Sequence, residues 1–387
     1  MENSEENINN ILDRGVAEIL PDKKELKDLL GKKKITLYQG FDPSSDKLHI
    51  GNLVGIRKLA QFQKLGHKVI FLIGDFTGMI GDPTDKTAAR VRLTKEQVEK
   101  NAKSYKEQIK NVLDFEGDNA AEIKYNSEWL SKLNFGDLVD ISSNFTVQQL
   151  IERDMFKKRL EENKPIYLHE FLYPIMQGYD SVFMGVDLEM GGNDQLFNML
   201  AGRSLVKSLK DKEKYVLTVK LLEGTDGAKM GKSIGNTINL TDSPEDIFGK
   251  IMSLPDTFIE PSIELLTDLP LDTGKDNPPM ETKKIVAFEI VKQLHGASKA
   301  NDAKTYFEKT FQKGSPEYEL KISLEENLAK TIAPHTSNAS VSDAKRYIEQ
   351  GSVDVNDKTI KDPIYKVKVG DKLRIGTSTF GTVVEEK

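Results

Sequence analysis

Two short motifs, far apart in the chain, have the residue types that handle phosphate groups. The first, His49–Asn52, lies between an apolar run and a helix-like stretch, which puts it at a helix N-terminus. Unpaired backbone N–H groups at such a terminus favour an anion. The second, Lys229–Ser233, is a glycine-containing loop whose two lysines could close over the far end of a polyphosphate. Either motif alone is weak evidence, but together they indicate activation of a substrate by ATP with pyrophosphate leaving.

Further polar side chains are placed where they could line a ligand pocket. Tyr38 closes the first predicted strand, and Asn126 lies at the end of another. The run from Tyr173 to Asp180 reads as helix, and its spacing puts Tyr173, Gln177 and Asp180 on one face over about two turns. These side chains supply hydroxyl, amide and carboxylate groups, which suit recognition of a polar small molecule.

The elements that must position these groups follow from the hydrophobic pattern. Lys34–Gly40 and Lys68–Gly74 are nearly continuous apolar runs ending in glycine, as buried parallel strands are. The helix 51–65 between them completes a βαβ unit. Tyr215–Leu222 is a further strand, and Thr94–Leu113 is a helix that starts with a capping box. The pattern predicts an α/β fold with a Rossmann-like, doubly wound parallel sheet and a ligand at the carboxyl ends of its strands.

The chain is expected to divide into three parts. Residues 1–240 form the Rossmann-like domain with a connective insertion. Residues 243–314 are helical, with helices at Glu281–Leu294 and Ser298–Phe311. Residues 322–387 form a small α+β module, in which a short helix is followed by strand-like alternation and turns.

Composition limits the class of protein. A chain of 387 residues is long enough for two or three domains. No apolar run reaches the roughly 18 residues that span a bilayer, so no membrane association is expected. The absence of cysteine excludes disulfides and thiolate metal sites, and the five histidines lack metal-ligand spacing. With an acidic, polar N-terminus, the default is a cytoplasmic enzyme. The net charge of −6 argues against a uniformly basic nucleic-acid binder but leaves local basic patches open.

Taken together, the motifs resemble the bacterial-type tyrosyl-tRNA synthetases, which are class I aminoacyl-tRNA synthetases. The resemblance covers nearly the whole chain, with its motifs in the family's order. They are the His49–Asn52 signature, the Lys229–Ser233 loop, the Tyr-x-x-x-Gln-x-x-Asp pattern at 173–180, the Gly-Gly-x-Asp-Gln turn at 191–195, and a C-terminal module similar to the S4 RNA-binding domain, carried by 342–356. The resemblance implies that L-tyrosine and ATP give tyrosyl-adenylate and pyrophosphate, after which tyrosine passes to the 3′ end of tRNA(Tyr).

The resemblance also implies roles for individual residues. The catalytic groups would be Ser44, His49, Asn52, Lys86, Arg90, Lys229 and Lys232. Tyrosine would be bound by Tyr38, Asp82, Asn126, Tyr173, Gln177, Asp180 and Gln195. ATP would be bound by Gly40, Asp42, His49, Gly51, Asn52, Gly192, Asp194, Leu221, Leu222, Lys229, Met230, Lys232 and Ser233. Mg²⁺ is expected to arrive with ATP rather than in a protein cage. A homodimer is expected, with Phe145–Leu172 in or near its interface, and the helical part would lie on the anticodon side.

The implied chemistry is consistent with these residue types. The tyrosine carboxylate is already ionised at neutral pH and can attack the α-phosphorus without a general base or a covalent enzyme intermediate. Catalysis would then be positioning and stabilisation of the charge that builds on pyrophosphate. Tyr38 and Asp180 would hydrogen-bond the phenol oxygen at the pocket floor. Phenylalanine would leave both unpaired, and the rejection of phenylalanine by roughly five orders of magnitude is a known property of this family.

Three other functions compete with this interpretation. A tryptophanyl-tRNA synthetase would share the fold and both signatures, but it gives Tyr38 and Asp180 less reason to coexist. A nucleotidylyltransferase uses similar histidine chemistry but usually lacks an RNA-binding module. An RNA-binding scaffold without catalysis would not call for His49, Lys229 and Lys232 together. ATP–pyrophosphate exchange with single amino acids separates all of them.

Overall fold

A computed structural model describes residues 4–83, 93–222, 237–312, 318, 320–336, 339–376 and 379–385. The chain divides into two compact units. The first comprises Met1–Asp242 and Leu254–Leu294, and the second comprises Ser243–Ser253 and His295–Lys387. The helical part predicted at 243–314 therefore contributes segments to both units.

The first unit is built around a sheet of six described strands. They are β1 (Val16–Leu20), β2 (Thr36–Phe41), β3 (Lys68–Ile73), β4 (Glu122–Tyr125), β5 (Leu188–Gly192) and β6 (Tyr215–Val219). The spatial order is β1-β6-β5-β2-β3-β4, in which β1 runs antiparallel to β6 and the other neighbours are parallel. This confirms the doubly wound α/β class. The strand order reverses between β2 and β5, and ligands bind beyond the carboxyl ends of the strands at such a switch point.

Helices form most of the remaining described structure of the two units. In chain order they are α1 (Glu5–Asp13), α2 (Lys23–Lys32), α3 (Ile50–Lys64), α4 (Thr77–Ile80), α5 (Lys95–Ala102), α6 (Tyr105–Ile109), α7 (Ser127–Leu130), α8 (Phe135–Ser142), α9 (Val147–Ile151), α10 (Asp154–Glu161), α11 (Leu168–Met184), α12 (Leu196–Lys210), α13 (Pro244–Ser253), α14 (Ile259–Leu266), α15 (Pro279–His295), α16 (Ala297–Phe307), α17 (Leu328–Ile332) and α18 (Val341–Glu349). The α11 and α12 helices pack against each other, which places the Tyr173–Asp180 pattern on a buried helix.

The predicted βαβ unit is confirmed as β2–α3–β3. The predicted helix at Thr94–Leu113 is correct at its start, since Thr94 and Gln97 form the expected capping box. It is wrong in its length, because α5 ends at Ala102 and α6 begins at Tyr105. At the break, Ser104 Oγ donates to the carbonyl of Asp46 at 2.8 Å. The helix is thus interrupted at the point where the Ser104 side chain bonds to the loop that precedes α3.

The second unit combines helices with a small sheet. Its strands are β7 (Leu320–Ser323), β8 (Val353–Val355), β9 (Lys358–Thr359), β10 (Lys372–Ile375) and β11 (Thr379–Val384), in the order β7-β11-β10-β8-β9. The α18 helix is followed by Gly351 with φ of +72°, as predicted for its C′ residue. Asn356 and Asp357 have φ of 49° and 63° and form the predicted tight turn between β8 and β9.

A buried histidine in the first unit gives a pH-dependent prediction. His67 is fully buried, and its Nδ1 accepts a hydrogen bond from Ile35 N at 3.3 Å. Burial, with a smaller effect of Lys34, lowers the pKa of His67 to about 4. In the unfolded chain His67 binds a proton near pH 6.5, whereas in the folded chain it binds one only near pH 4. The free energy of unfolding should therefore fall as the pH drops from 6.5 to 4.

The loss should be at most about 3 kcal/mol and should be absent from His67→Asn, whose side-chain oxygen can still accept from Ile35. Urea unfolding of wild type and His67→Asn between pH 7 and 4 gives the free energy of unfolding of each protein as a function of pH. The loss is the difference between the two slopes. Equal slopes would contradict the assignment.

Candidate functional site

The candidate site lies at the carboxyl ends of β2 and β5, where the strand order reverses. Strand β2 supplies Tyr38, and β5 supplies Glu189 and ends at Gly192. Helix α11 runs along this region and carries three residues that were predicted as ligand contacts, Tyr173, Gln177 and Asp180. Sequence-distant polar groups are thereby brought together over the apolar cluster that contains Tyr38, Trp129 and Met176.

Asp180 is held as an acceptor at the base of the site. It is 2% exposed, and it accepts hydrogen bonds from Trp129 Nε1 at 2.7 Å and Asn126 Nδ2 at 3.2 Å. Burial raises the pKa of the Asp180 carboxyl well above its ordinary range, while the two N–H donors oppose that rise. The predicted pocket residues Asn126 and Asp180 are therefore in direct contact.

Tyr38 is equally buried, but its hydroxyl pairs with a neighbour that was not predicted. Its hydroxyl oxygen lies 2.8 Å from Ser181 Oγ, the residue that follows Asp180. Burial raises the pKa of Tyr38 well above 10, and the nearby Glu189 and Asp180 carboxylates raise it further. The Tyr38 hydroxyl therefore stays protonated, and Asp180 is close enough to affect its pKa.

Beneath Tyr38 lies a buried ion pair that the sequence analysis missed. Lys214 Nζ contacts Glu189 Oε2, and their side chains are 0% and 2% exposed. Lys214 also donates to Ser181 Oγ at 3.0 Å, and Gln177 Nε2 donates to Glu189 Oε1 at 3.0 Å. The only signal in the sequence is a single glutamate inside the apolar strand β5 and a lysine directly before β6.

The Asp42 carboxylate is fixed at the opening of the site. Tyr173 donates its hydroxyl to Asp42 Oδ2 and Thr77 donates to Asp42 Oδ1, both at 2.8 Å. A Cβ added at Gly74 would lie 2.1 Å from Asp42 Oδ1, so glycine is required there for the carboxylate to come this close. Tyr173, assigned by resemblance to tyrosine binding, and Asp42, assigned to ATP binding, are thus direct partners.

A second carboxylate, Asp82, is held by two side chains that are distant from it in the sequence. Gln195 Nε2 donates to Asp82 Oδ2 at 2.5 Å, and Arg153 Nη2 lies 3.8 Å from Asp82 Oδ1. The Arg153 guanidinium is buried and stacks over the Phe197 ring at 5.0 Å. Burial lowers the pKa of Arg153, and Asp82 opposes that fall. Arg153 is another contact that the sequence analysis did not identify.

His49 is the N-cap of α3 and forms a capping box with Asn52. Its Nδ1 accepts from Gly51 N at 3.1 Å, while Asn52 Oδ1 accepts from His49 N at 3.0 Å. An Nδ1 that accepts assigns the proton of the neutral ring to Nε2. The signature motif therefore stabilises a helix N-terminus and directs an N–H donor away from it.

The described residues that follow the lysine loop are anchored beside His49. Ile50 N donates to Ile238 O at 3.0 Å, and Leu240 N donates to Leu48 O at 2.9 Å. The residues that precede the loop continue from β6, whose end lies at the same edge of the sheet. Both described flanks of the segment 223–236 therefore lie at the candidate site.

The remaining predicted residues are placed as follows. Gly40 and Ser44 are exposed, and a Cβ at Gly192 would lie 2.5 Å from Asp194 Oδ1 and 2.8 Å from Leu221 Cδ2. Leu221 is 38% exposed and can contact a ligand, whereas Leu222 is 3% exposed and packs in the core. Six predicted residues lie outside the described part of the chain, namely Lys86, Arg90, Lys229, Met230, Lys232 and Ser233.

Two further features bear on what the chain can bind. Over the described ranges, no cluster of three or more His, Cys, Asp or Glu side chains is arranged to hold a metal ion. None of the described helices is long and apolar enough to cross a membrane.

In the second unit, Lys345 and Lys366 are exposed. Two further cations of this unit, Lys330 and Arg346, form ion pairs with Glu326 and Asp343.

Comparison with known families places two matches on the chain. The family described as tRNA synthetases class I (W and Y) matches residues 30–312. The S4 domain matches residues 336–373, inside the module predicted at 322–387. The first match covers more than half of the chain and includes each described residue of the candidate site.

Several curated relatives are similar over nearly their whole length. A tyrosine–tRNA ligase of Carboxydothermus hydrogenoformans is 40% identical, with 97% of each chain covered. One from Dehalococcoides mccartyi is 41% identical over 99% of this chain and 100% of the relative. One from Thermotoga maritima is 40% identical over 96% of this chain and 95% of the relative.

Solved structures confirm the fold. A C-terminally truncated mitochondrial tyrosyl-tRNA synthetase of Aspergillus nidulans superimposes with a TM-score of 0.67 at 21% identity, covering 79% of this chain and 94% of that one. The tyrosyl-tRNA synthetase of Archaeoglobus fulgidus, solved with L-tyrosine, gives a TM-score of 0.60 at 22% identity, covering 77% and 99%.

Proposed function

This chain belongs to the class I tRNA synthetases, within their tyrosine–tRNA ligase group, and we propose that the switch-point cleft holds both of its small substrates. The enzyme activates L-tyrosine with ATP to tyrosyl-adenylate, releases pyrophosphate and transfers tyrosine to the 3′ end of tRNA(Tyr). The observation that carries this proposal is a buried, oxygen-rich floor, formed by Tyr38 and Asp180, at the sheet edge that also carries the His49 helix terminus.

The tyrosine ring fits above the apolar cluster, with its hydroxyl toward Tyr38 and Asp180. Asp180 is already aligned by Trp129 and Asn126, so it can accept a hydrogen bond from the phenol hydroxyl without reorganising. Phenylalanine would bury the same oxygens without the hydrogen bond that the phenol supplies, which leaves acceptor capacity unsatisfied and costs free energy.

The α-ammonium group of tyrosine is assigned to the acceptors Asp82, Tyr173 and Gln177. A carboxylate gives a charge-assisted hydrogen bond to a cation, which is stronger than a neutral one. Asp82 is held in place by Gln195, so the carboxylate is oriented before the substrate arrives. Gln195 therefore acts through Asp82 in addition to any contact of its own.

The nucleotide is assigned to the outer edge of the same cleft. Asp194 and Leu221 both lie close to Gly192, so a ribose could meet the carboxylate while adenine packs on the exposed leucine. Asp42, Gly40, Gly51 and Leu222 complete the ATP side, with Leu222 acting from the core. ATP enters as its magnesium complex, with Mg²⁺ carried by the phosphates.

Charge stabilisation during adenylate formation is assigned to donors from several segments. His49 would donate through Nε2 to the leaving pyrophosphate, with Asn52 and Ser44 as further donors nearby. Lys229 and Lys232, with Met230 and Ser233 in the same loop, would close over the phosphates, and Lys86 and Arg90 would assist. The anchoring of Ile238 and Leu240 beside the α3 N-terminus supports this assignment.

The S4 domain is assigned to tRNA binding, through exposed cations such as Lys345 and Lys366. The helical part would contact the anticodon side. Since tRNA charging serves translation, the enzyme is assigned to the cytoplasm, where the lack of cysteine suits a reducing compartment.

ATP–pyrophosphate exchange with each amino acid tests the activity. Tyrosine alone should support exchange, and the purified enzyme should then charge tRNA(Tyr). Exchange with tryptophan, or no exchange with any amino acid, would contradict the proposal.

We expect a homodimer, because helices α8–α11 carry exposed apolar side chains. Phe135 is 82% exposed and Leu168 is 79% exposed, and Val147 adds to this surface. Wild type should sediment at twice its 43.5 kDa, and the double variant Phe135→Asp/Leu168→Asp should sediment as a single chain. Leu271→Asp, at a 62% exposed leucine outside these helices, is the matched control and should stay dimeric. A wild-type enzyme at 43.5 kDa would contradict the dimer.

A further inference from the structure

The two side chains that align Asp180 come from one very short helix. Trp129 lies in α7, and Asn126 is the N-cap of that helix. Both donate to the Asp180 carboxylate. A helix of one turn has almost no stability of its own, because its backbone groups all belong to its two ends. The positions of both donors therefore depend on what α7 contacts elsewhere.

The two donors are anchored to different extents. Asn126 is tied to the segment after β3, since its Oδ1 accepts from Phe76 N at 2.9 Å and its Nδ2 also donates to Thr77 Oγ1 at 3.0 Å. The Trp129 indole has one donor, Nε1, and no acceptor, and that donor is already used on Asp180. Packing must therefore hold the rest of the indole in place.

A ring from α11 covers one face of this indole. Phe183 stacks on Trp129 with the ring centroids 4.7 Å apart and the planes 17° apart. Trp129 is 3% exposed, whereas Phe183 is 57% exposed. Stacked aromatic rings attract each other by more than the area they bury accounts for. Phe183 thus separates the indole from solvent and favours one orientation of its plane.

Helix α11 therefore contacts the indole at two places. Asp180 accepts from the indole N–H, and Phe183 packs on the ring face. These two residues are three apart on α11, so their side chains are neighbours on the helix surface. A shift of the indole away from Phe183 also moves Nε1 relative to the Asp180 carboxylate.

We propose that Phe183 is a positioning residue for tyrosine recognition, because it holds the Trp129 indole where Nε1 fixes the Asp180 carboxylate for the phenol. Phe183 acts through Trp129 and has no contact with the substrate in this role. An aromatic ring at position 183 thereby increases the preference for tyrosine over phenylalanine. This inference rests on the proposed assignment of the phenol to Asp180.

The kinetic test removes the ring and then restores it. Phe183→Leu keeps an apolar side chain without a ring, so we expect KM for tyrosine to rise about fivefold. Since Asp180 is assigned only to the phenol, kcat/KM for phenylalanine and KM for ATP should stay within about twofold. Phe183→Tyr restores the ring and should keep the wild-type constants. Pyrophosphate exchange measures all of them. A wild-type tyrosine-to-phenylalanine ratio in Phe183→Leu, or the same loss in Phe183→Tyr, would overturn the proposal.

Tyr167→Leu is the matched control. Tyr167 is 54% exposed and also stacks on a ring, that of His169, with centroids 5.8 Å apart. It is the N-cap of α11 and belongs to the same surface that we assign to the dimer, but it does not stack on Trp129. Its replacement should leave the tyrosine-to-phenylalanine ratio unchanged, and sedimentation should show the same oligomeric state for both leucine variants. An equal loss of selectivity in both would assign the effect to the shared surface and would overturn the proposal.

Fluorescence tests the position of the indole without relying on activity. Trp129 is the one tryptophan of the chain, so tryptophan emission reports on this ring alone. Phe183→Leu should make the emission easier to quench with acrylamide, because the indole loses its cover, whereas Phe183→Tyr should match wild type. Unchanged quenching in Phe183→Leu would mean that the indole does not need the ring, and the proposal would be wrong.

Wild type keeps this failure separate from failure of the assigned activity. If wild type exchanges pyrophosphate with tyrosine and Phe183→Leu keeps its selectivity, only the role of Phe183 is wrong. If wild type does not exchange with tyrosine, the proposed function is wrong and the role of Phe183 falls with it.

Discussion

Replacing Asp180 by asparagine will lower kcat/KM for tyrosine by about 100- to 1,000-fold and leave kcat/KM for phenylalanine nearly unchanged. In the native site both carboxylate oxygens accept, one from Trp129 Nε1 and the other from Asn126 Nδ2. An asparagine must turn its NH₂ toward one of these donors, so the side chain is misaligned as well as uncharged. Pyrophosphate exchange with both amino acids measures the loss as a ratio.

Asp187→Asn is the control for this substitution. Asp187 is a largely buried carboxylate, 9% exposed, that accepts from Thr36 N at 2.9 Å and ion-pairs with Lys33 and Lys212, each at 3.1 Å. It precedes β5, at the opposite edge of the sheet from the candidate site. Its replacement should lower stability without changing the tyrosine-to-phenylalanine ratio. If Asp180→Asn keeps the wild-type ratio of kcat/KM for tyrosine to that for phenylalanine, Asp180 does not hydrogen-bond the phenol.

Local signals were enough to predict much of the fold. The β2–α3–β3 unit follows from two apolar runs and the helix between them, because buried parallel strands need little else to be recognised. The Thr94–Gln97 capping box and the C′ glycine at 351 were also predicted correctly, since the donors and acceptors at helix ends are satisfied within a few residues.

The division into units could not be read from local pattern. Helical periodicity predicts that 281–294 is helix, but it does not say which core that helix packs against. Residues 254–294 belong to the first unit, while 243–253 and the chain from 295 onward belong to the second. Arg57 on α3 donates to Asp268 Oδ1 at 2.5 Å, a contact across more than two hundred residues that ties the α14–α15 loop to the first unit. Such contacts exist only after the chain has folded.

The candidate site shows the same limit. Asp180 and Asn126 were both assigned to the tyrosine pocket by resemblance, and their side chains are in contact. Ser181, Glu189 and Lys214 were missed because each looks ordinary in its own segment. Their contacts form only where α11, β5 and β6 pack together, and this packing buries Lys214 completely. A charged residue inside an apolar strand is the signal that should have prompted a search for its partner.

The second large effect is expected at His49, where two roles can be separated. As N-cap, the ring accepts from Gly51 N through Nδ1, and we assign Nε2–H to the leaving pyrophosphate. Asparagine is also a good N-cap, but it is too short to reach the phosphate, and alanine can do neither. His49→Asn and His49→Ala should therefore both lower kcat for adenylate formation by about 100-fold, with KM for tyrosine nearly unchanged. Single-turnover kinetics with saturating ATP measures this step.

Stability should distinguish the two variants where activity does not. His49→Ala loses the cap and should unfold about 1 kcal/mol more easily than wild type, whereas His49→Asn should stay close to it. Asp22→Ala, which removes the N-cap of α2 beside the start of β6, at the sheet edge opposite the cleft, should lose similar stability while keeping full activity. If His49→Asn retained wild-type kcat, the histidine would be a helix cap alone, and the charge on pyrophosphate would have to be stabilised by the lysine loop and the backbone N–H groups of α3.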